Sequence, residues 1–426
     1  MNRLKLSPTS HRIGLCLLLF VMPLLLAAQK KLSGSVVDAV SGERLSFVMF
    51  YLASGRGTLS NFDGDFMLEI MPDDSVTITH VGYEKIRMKA DLLPRIVRLK
   101  PMATQMAEVV VRPIDCDAIL KKVIERLKKE HKDNSDKMSN YFMRTAYWDD
   151  RGKELVEAFA DAFSAVNVSQ LSINSGIKSV ETADGTNRKE VISTNVHKIL
   201  EAGPMTFDSR FWEVKVVPLN DFKKVRKLYD ATAVRMDDES GESLYRINMK
   251  FCGVWPDEAD EKKKENKHLT RAELNAIYRQ RQRNRPPLLE GTLYIRQSDY
   301  ALMRFDGQMM GQFMKAHNVR DTLHLDIHIQ YAHDRGFTEV SHIAAEGRHP
   351  WMRFRSLLFN LHDKVDIHQG TVVRGNLLNA IQEAGYDSEL WKKYDIVRRT
   401  KEEEEIAFGK AQDSPTPDEE SDSQKQ

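Results

Sequence analysis

Between residues 31 and 112 the chain is cut into short apolar runs by glycine and aspartate at regular intervals, a rhythm that points to antiparallel β-structure. The order is Gly34-Ser35-Val36-Val37-Asp38, Gly42-Glu43-Arg44-Leu45, Asn61-Phe62-Asp63-Gly64-Asp65-Phe66, His80-Val81-Gly82-Tyr83 and a closing Glu108-Val109-Val110-Val111. Short runs of β-favouring residues bounded by Gly, Asn and Asp read as strands joined by turns. The spacing predicts strands near 31–39, 46–53, 56–60, 64–70, 74–80, 84–90 and 95–99, with 107–111 leaving as an extended strand. In Ser75-Val76-Thr77-Ile78-Thr79 the alternation sends Val76 and Ile78 inward and the hydroxyls outward. Asp63-Gly64 fits a type I′ hairpin, because glycine tolerates positive φ.

The segment before this region reads as an export signal. Arg3, Lys5 and Arg12 precede an apolar run from Ile13 to Leu26, and Ala27-Ala28 places cleavage before Gln29. The run is shorter than the roughly 20 residues a bilayer span needs. Leu15 stands before Cys16 where lipid attachment wants a small residue, so no lipid anchor is expected. No later segment is apolar enough to cross as a helix, so the mature chain has no integral membrane span. The 63 Lys+Arg lose the three basic side chains of residues 1–28, leaving 60 against 62 Asp+Glu and a net charge of −2. That balance excludes nucleic acid as the expected partner. Cys116 and Cys252 remain in the mature chain. In an oxidising compartment, a disulfide and a pair of free thiols both stay open.

Beyond residue 113 an amphipathic helix is predicted, capped by Asp115 or Asp117. Ile119, Leu120, Val123, Ile124 and Leu127 form its inner face, and Lys121, Lys122, Lys128 and Lys129 cover the other. Strands follow near 141–148, 154–163 (the latter also compatible with helix), 189–195, 211–218, 231–236 and 243–251. A charged insert occupies 257–285, with a capping box at Thr270-Arg271-Ala272-Glu273 and a stop at Pro286-Pro287. Hairpins are expected over 291–306 around Ser298-Asp299 and over 324–345 around Asp334-Arg335-Gly336. An edge or final strand pair is expected over 352–366, and a charged, largely disordered tail over 399–426.

The ordered motif set from Gly34 to Val111 resembles the carboxypeptidase regulatory-like domain, a transthyretin- or Ig-like sandwich common in Bacteroidetes envelope proteins. The resemblance implies residence in the periplasm or on the periplasmic face of the outer membrane, without naming an activity. The Glu290–Phe305 hairpin, with Leu293-Tyr294-Ile295 facing Ala301-Leu302-Met303, looks like the sheets of periplasmic lipoprotein carriers. The expected fold is mainly β with some α. A signal peptide (1–28) and an N-terminal β-sandwich (29–112) precede a larger α+β domain (113–398) built on a curved antiparallel sheet, and then the tail.

Seven of the 13 histidines fall between 324 and 368. On a strand, His324, Asp326 and His328 share a face, and His342 from the next strand completes a candidate metal site. The competing reading makes these residues the wet face of a sheet whose other face carries Leu323, Leu325, Ile327 and Ile329. There is no His-Glu-x-x-His helix, Gly-x-Ser-x-Gly elbow or glycine-rich phosphate loop. Trp255, Tyr147 and Trp148 are the candidate partner-binding residues. The expectation is a non-catalytic exported protein that uses no cofactor. It would bind or scaffold an envelope protein partner, such as an outer-membrane complex, or an apolar ligand. The alternative is a periplasmic hydrolase, metal-dependent through the histidine-rich sheet.

Overall fold

A computed structural model describes residues 30–104, 114–182, 200, 208–209, 214–215, 222–237, 242–251, 290–316, 319–350, 352–361, 370–374, 377–393 and 397–408. The export signal, the strands expected at 107–111 and 189–195, the charged insert, Trp255 and Cys252 lie outside the described residues.

The N-terminal strands are β1 (Lys30–Asp38), β2 (Met49–Leu52), β3 (Gly57–Leu59), β4 (Asp65–Ile70), β5 (Ser75–Thr79), β6 (Ile86–Lys89) and β7 (Ile96–Leu99). They form two sheets, ordered β4-β1-β7 and β3-β2-β5-β6, whose facing side chains make one core. Val36, Phe50, Phe66, Leu68, Val76, Ile78 and Leu99 are buried in it. Strand positions follow the alternation closely. Asp63-Gly64, however, does not close a hairpin: β3 and β4 belong to different sheets, so the turn crosses between them. Gly64 has φ 78°, and the Asn61 side chain accepts from the Asp63 and Asp65 amides, each at 2.9 Å.

The remaining elements are β8 (Ala103–Thr104), α1 (Cys116–Asp133), β9 (Met138–Asp149), β10 (Gly152–Phe163), β11 (Ser169–Thr182), β12 (Asp208–Ser209), β13 (Val214–Lys215), α2 (Phe222–Leu228), β14 (Tyr229–Asp237), β15 (Ser243–Phe251), β16 (Glu290–Arg296), β17 (Leu302–Ala316), β18 (Val319–Ala332), β19 (Glu339–His349), β20 (Met352–Asn360), β21 (Thr371–Val372), α3 (Leu377–Ala384), α4 (Ser388–Lys393) and α5 (Lys401–Phe408). Twelve strands join in one sheet, ordered β21-β11-β10-β9-β20-β19-β18-β17-β16-β15-β14-β8.

One face of this sheet is covered by helices. The Asp115 carboxylate accepts from the Ala118 amide at 3.0 Å and starts α1, whose Ile119, Leu120, Val123, Ile124 and Leu127 are all buried. Each such side chain contributes about 1.5–3 kcal/mol on burial. They meet Tyr141, Val156, Leu325, Ile327, Ile329 and Ile343 of the strands. On the same side α3 lies so close to β11 that a Cβ on Gly176 would sit 2.9 Å from Ile381 Cγ1.

The other face is covered by the sandwich and the C-terminal segment. Met49 and Leu59 pack with Phe142, Phe159, Ala344, Leu357, Phe359 and Val397. Two expectations change here. The stretch beginning at Met352 supplies β20, an interior strand between β19 and β9, because both of its faces find cover. Residues 401–408, assigned to the disordered tail, form a helix anchored by ion pairs.

That anchor is a buried knot. Arg144 Nε donates to Glu157 Oε1 (2.8 Å), Nη1 to Glu403 Oε2 (3.4 Å), and Nη2 to the Val397 carbonyl (2.6 Å). Arg399 also binds Glu157, while the Arg399 carbonyl accepts from Asn61 Nδ2 of the sandwich at 3.3 Å. Burial opposes the Glu157 charge, but Arg144 and Arg399 outweigh it and hold its carboxyl below the ordinary range. Burial raises Glu403. Arg144→Met leaves Glu403 buried without its guanidinium and should lower unfolding free energy by about 3–5 kcal/mol. Denaturant titration measures the loss, and hydrogen exchange should locate it at 397–408; protection unchanged there would refute the anchor.

Candidate functional site

Directly opposed residues on neighbouring strands share a face of the sheet. One such row reads Arg246, Tyr294, Arg304, Gln330, His342, Phe359, Phe142 and Phe159, from β15 to β10. A second, displaced along the strands, reads Asp306, His328, Ala344, Leu357, Arg144 and Glu157. Both rows lie on the side covered by the sandwich. Their apolar stretch lies under Met49 and Leu59. Their polar end meets the loop His80-Val81-Gly82-Tyr83, in which Gly82 takes φ 90°.

The polar groups at this seam are linked in a chain. Arg304 grips Asp306 in a fork, with Nε and Nη2 each 2.9 Å from a carboxylate oxygen. Its Nη1 reaches the Val81 carbonyl at 3.1 Å and His80 Nε2 at 3.0 Å. Asp306 Oδ1 lies 2.7 Å from His328 Nδ1. Burial works against the Asp306 charge, yet Arg304 and His328 outweigh it and hold the carboxyl well below its usual range. Burial first, and then Arg304, push both His80 and His328 down, so both rings are neutral. With its Nδ1 proton directed at Asp306, His328 presents Nε2 as an acceptor. That atom is buried and has no hydrogen-bond partner among the described residues.

The imidazoles form a column across the seam. The His80 and His328 ring centroids are 6.4 Å apart at 12°, and those of His328 and His342 are 5.0 Å apart at 20°. Phe47 stacks on His328 at 5.2 Å and holds φ 61°, a left-handed conformation uncommon for a bulky residue. Its amide donates to the Ser60 carbonyl at 3.0 Å, and its ring meets Phe62 edge-on at 4.9 Å.

This geometry corrects the histidine reading. The alternation is right, since Leu325, Ile327 and Ile329 enter the helix-side core, but at His328 and His342 the opposite face is not wet. The sandwich covers both residues. Parallel rings do not aim their nitrogens at a common point. Among the described residues no group of three His, Cys, Asp or Glu side chains is placed to hold a metal ion. His324 is exposed, and Asp326 accepts from Arg348 at 2.6 Å. The binding candidates separate as well. Tyr147 is buried on the helix side, whereas Trp148 packs beside Leu155 and Ile406 on the opposite face, with Arg353 4.3 Å over its ring. These two therefore do not share a surface.

Two clefts flank the His80–Tyr83 loop. The first, about 430 Å³, is walled by Arg44, Arg246, Arg304, Tyr83, Tyr294 and His328, with Val81, Met102 and Met236 among its apolar lining. The second, about 420 Å³, includes Thr77, Thr79, Gln330, Tyr331 and His333. Sequence reasoning singled out the loop as a motif and missed Arg246, Tyr294 and Arg304. Their signal was parity: each occupies the polar position of an alternating strand.

No protein-family model matches this sequence, and no curated protein does. Among solved structures, a LolA-superfamily protein from Nitrosomonas europaea aligns over 60% of this chain and 96% of its own, at 10% identity and a TM-score of 0.23. A DUF1329-family protein from Desulfovibrio piger aligns over 58% and 95%, at 10% identity and a TM-score of 0.21. A chain of the MucA/MucB complex of Pseudomonas aeruginosa aligns over 64% and 98%, at 7% identity and a TM-score of 0.16. At scores this low none of these likenesses bears on what the chain does. Among the described residues no helix is long and apolar enough to cross a membrane.

The buried imidazoles fix a pH dependence. Their folded-state pKa values lie below the ordinary 6.5, so the unfolded chain binds protons that the native one refuses. Stability is present above that value and is lost as pH falls below it. Asp306 acts in the same direction, but only below the ordinary carboxylate value of 3.8. The melting temperature should fall between about pH 7.5 and about pH 5, and His80→Gln should flatten the slope. An unchanged slope in that variant would remove His80 from the account.

Proposed function

We propose that this chain is an exported envelope protein that works by binding, with a carboxypeptidase regulatory-like sandwich docked on an α+β domain and the seam between them as the recognition site. The observation that supports this most is the first cleft, about 430 Å³, at the boundary of two packed units. Sites for small partners and ligands favour such boundaries and fall in this size range. Its walls are preorganised. Arg304 is held by Asp306, His80 and Val81, and Phe47 is held in a strained backbone conformation between Phe62 and His328. Preorganised walls lose little entropy when a ligand enters.

One observation favours the hydrolase alternative: His328, oriented by Asp306, carries an unmatched Nε2, as a general base would. Among the described residues Ser46 is the serine that lines the cleft, and its hydroxyl donates to the Phe62 carbonyl at 2.7 Å rather than to His328. The nucleophile–base contact of a covalent mechanism is therefore not made, and binding is the better-supported reading.

Native mass spectrometry of the mature protein released gently from the envelope tests this. A bound mass should accompany the wild type and disappear in Met102→Trp, whose larger indole crowds the cleft wall. Because Met102 is packed with Met236 and Leu244, near-UV circular dichroism checks that the variant keeps the native fold despite the destabilisation that overpacking brings. A chain that emerges ligand-free, and that cleaves nitrophenyl esters in a manner abolished by His328→Gln, would overturn the binding reading.

A further inference from the structure

The charges in the first cleft do not balance, and the imbalance is local. Among the described residues no carboxylate lines it, while three guanidiniums do. Arg44 is paired with Asp65, and Arg304 is engaged by the Asp306 fork, His80 and the Val81 carbonyl. Arg246 has no carboxylate partner among the described residues. It stands directly opposite Tyr294 in the β15–β16 ladder, and Tyr294 stands opposite Arg304 in the β16–β17 ladder. Adjacent strands are about 4.8 Å apart, so the Arg246 and Tyr294 side chains emerge as neighbours. The Tyr294 hydroxyl likewise has no hydrogen-bond partner among the described residues. Two donors without a partner among the described residues, one of them cationic, thus line one wall of a cleft whose lining also includes the His328 ring.

The rest of the wall has a different character. Met102 and Met236 are buried together with Leu244, and Val81, Tyr294 and Met303 pack against them. Methionine side chains adapt their shape to an apolar occupant. Gly82 adds no side chain, and its positive φ of 90° keeps the loop backbone turned tightly beside Tyr294 and Met236.

We propose that this cleft is a site for an organic oxyanion, in which a carboxylate or phosphate group is received by Arg246 and the Tyr294 hydroxyl while a short apolar body lies against Val81, Met102 and Met236. The inference rests on the seam being the binding site and names the chemistry it selects. Guanidinium and phenol donors suit both oxyanions, because each offers several oxygens to charge-assisted hydrogen bonds. An uncharged molecule of the same shape leaves the Arg246 charge uncompensated in a partly enclosed site, and that difference supplies the selectivity.

The test is calorimetric titration of the full mature chain with octanoate, octyl phosphate and 1-octanol. At least one of the two anions should bind about tenfold or more tightly than octanol, and which one does identifies the head group. Arg246→Met, which keeps the apolar stem and removes the charge, should erase that preference at an unchanged melting temperature. Tyr294→Phe should weaken the anion several-fold, and added salt should weaken it further. Octanol binding as tightly as the anions would overturn the proposal, as would anion binding unaltered in Arg246→Met. So would a wild type that carries a native ligand displaced by Met102→Trp yet binds neither anion; there the ligand class fails and the binding reading survives. A chain that binds no probe and carries no native ligand takes both down.

Discussion

Where both faces of a sheet are covered, its polar residues have no solvent to meet, and the rest of this structure follows from that constraint. Alternating strands place apolar side chains on one side and mixed ones on the other. The helix side accepts the apolar set. The sandwich and the C-terminal segment then close over the second side, where Arg144, Glu157, Arg304, Asp306, His328 and His342 stand. Isolated charges in such a place lose several kcal/mol of hydration each. They are tolerated because they meet one another: Arg304 with Asp306, and Arg144 with Glu157 and Glu403.

Pairs of this kind give little net stabilisation relative to well-packed apolar side chains, but they are strict about geometry. Here that strictness sets how the sandwich sits. Arg399 touches Glu157 of β10 through its side chain and Asn61 of the sandwich through its carbonyl. Arg355 of β20 reaches Asp63 at 3.4 Å and Glu346 at 3.1 Å. Arg304 of β17 reaches His80 and Val81. The sandwich is therefore held at its Asn61–Asp63 turn and at its His80–Val81 loop, with the apolar patch around Met49 and Leu59 also packed on the sheet.

What the sequence made legible was everything governed by local period. The strands β1 to β7, the Asp115 cap and inner face of α1, and the hairpins around Ser298-Asp299 and Asp334-Arg335-Gly336 all follow from alternation, turn residues or helical spacing. What it concealed was long-range cover. β11 escaped notice because Ser169 to Thr182 carries serines at 169, 172, 175 and 179 that break its apolar alternation, and the need for glycine at 176 comes from Ile381, far along the chain, and from the Glu157 carbonyl of the neighbouring strand. The 401–408 helix read as a solvated acidic run because nothing near Glu403 announces Arg144. The histidines were assigned to water for the same reason: parity names a face, and only the docked sandwich decides what lies against it.

That distinction also separates the structural part of the seam from the part that recognises. Under the sandwich each buried guanidinium is answered by a carboxylate, and those groups are committed to holding the two units together. Toward the edge of the covered region the matching lapses: Arg246 and Tyr294 line the cleft, and neither the Arg246 guanidinium nor the Tyr294 hydroxyl has a hydrogen-bonded or ion-paired partner among the described residues. An unmatched donor in open solvent means little, because water satisfies it. A donor pair without partners among the described residues, in a cleft of about 430 Å³ beside two methionines and the Gly82 turn, stands where displaced water would be replaced by oxygen of the proposed ligand. The ion pairs that keep Arg304 fixed leave Arg246 as the cleft guanidinium with no partner among the described residues, so the packing that solves the burial problem also determines which residue the proposed ligand meets.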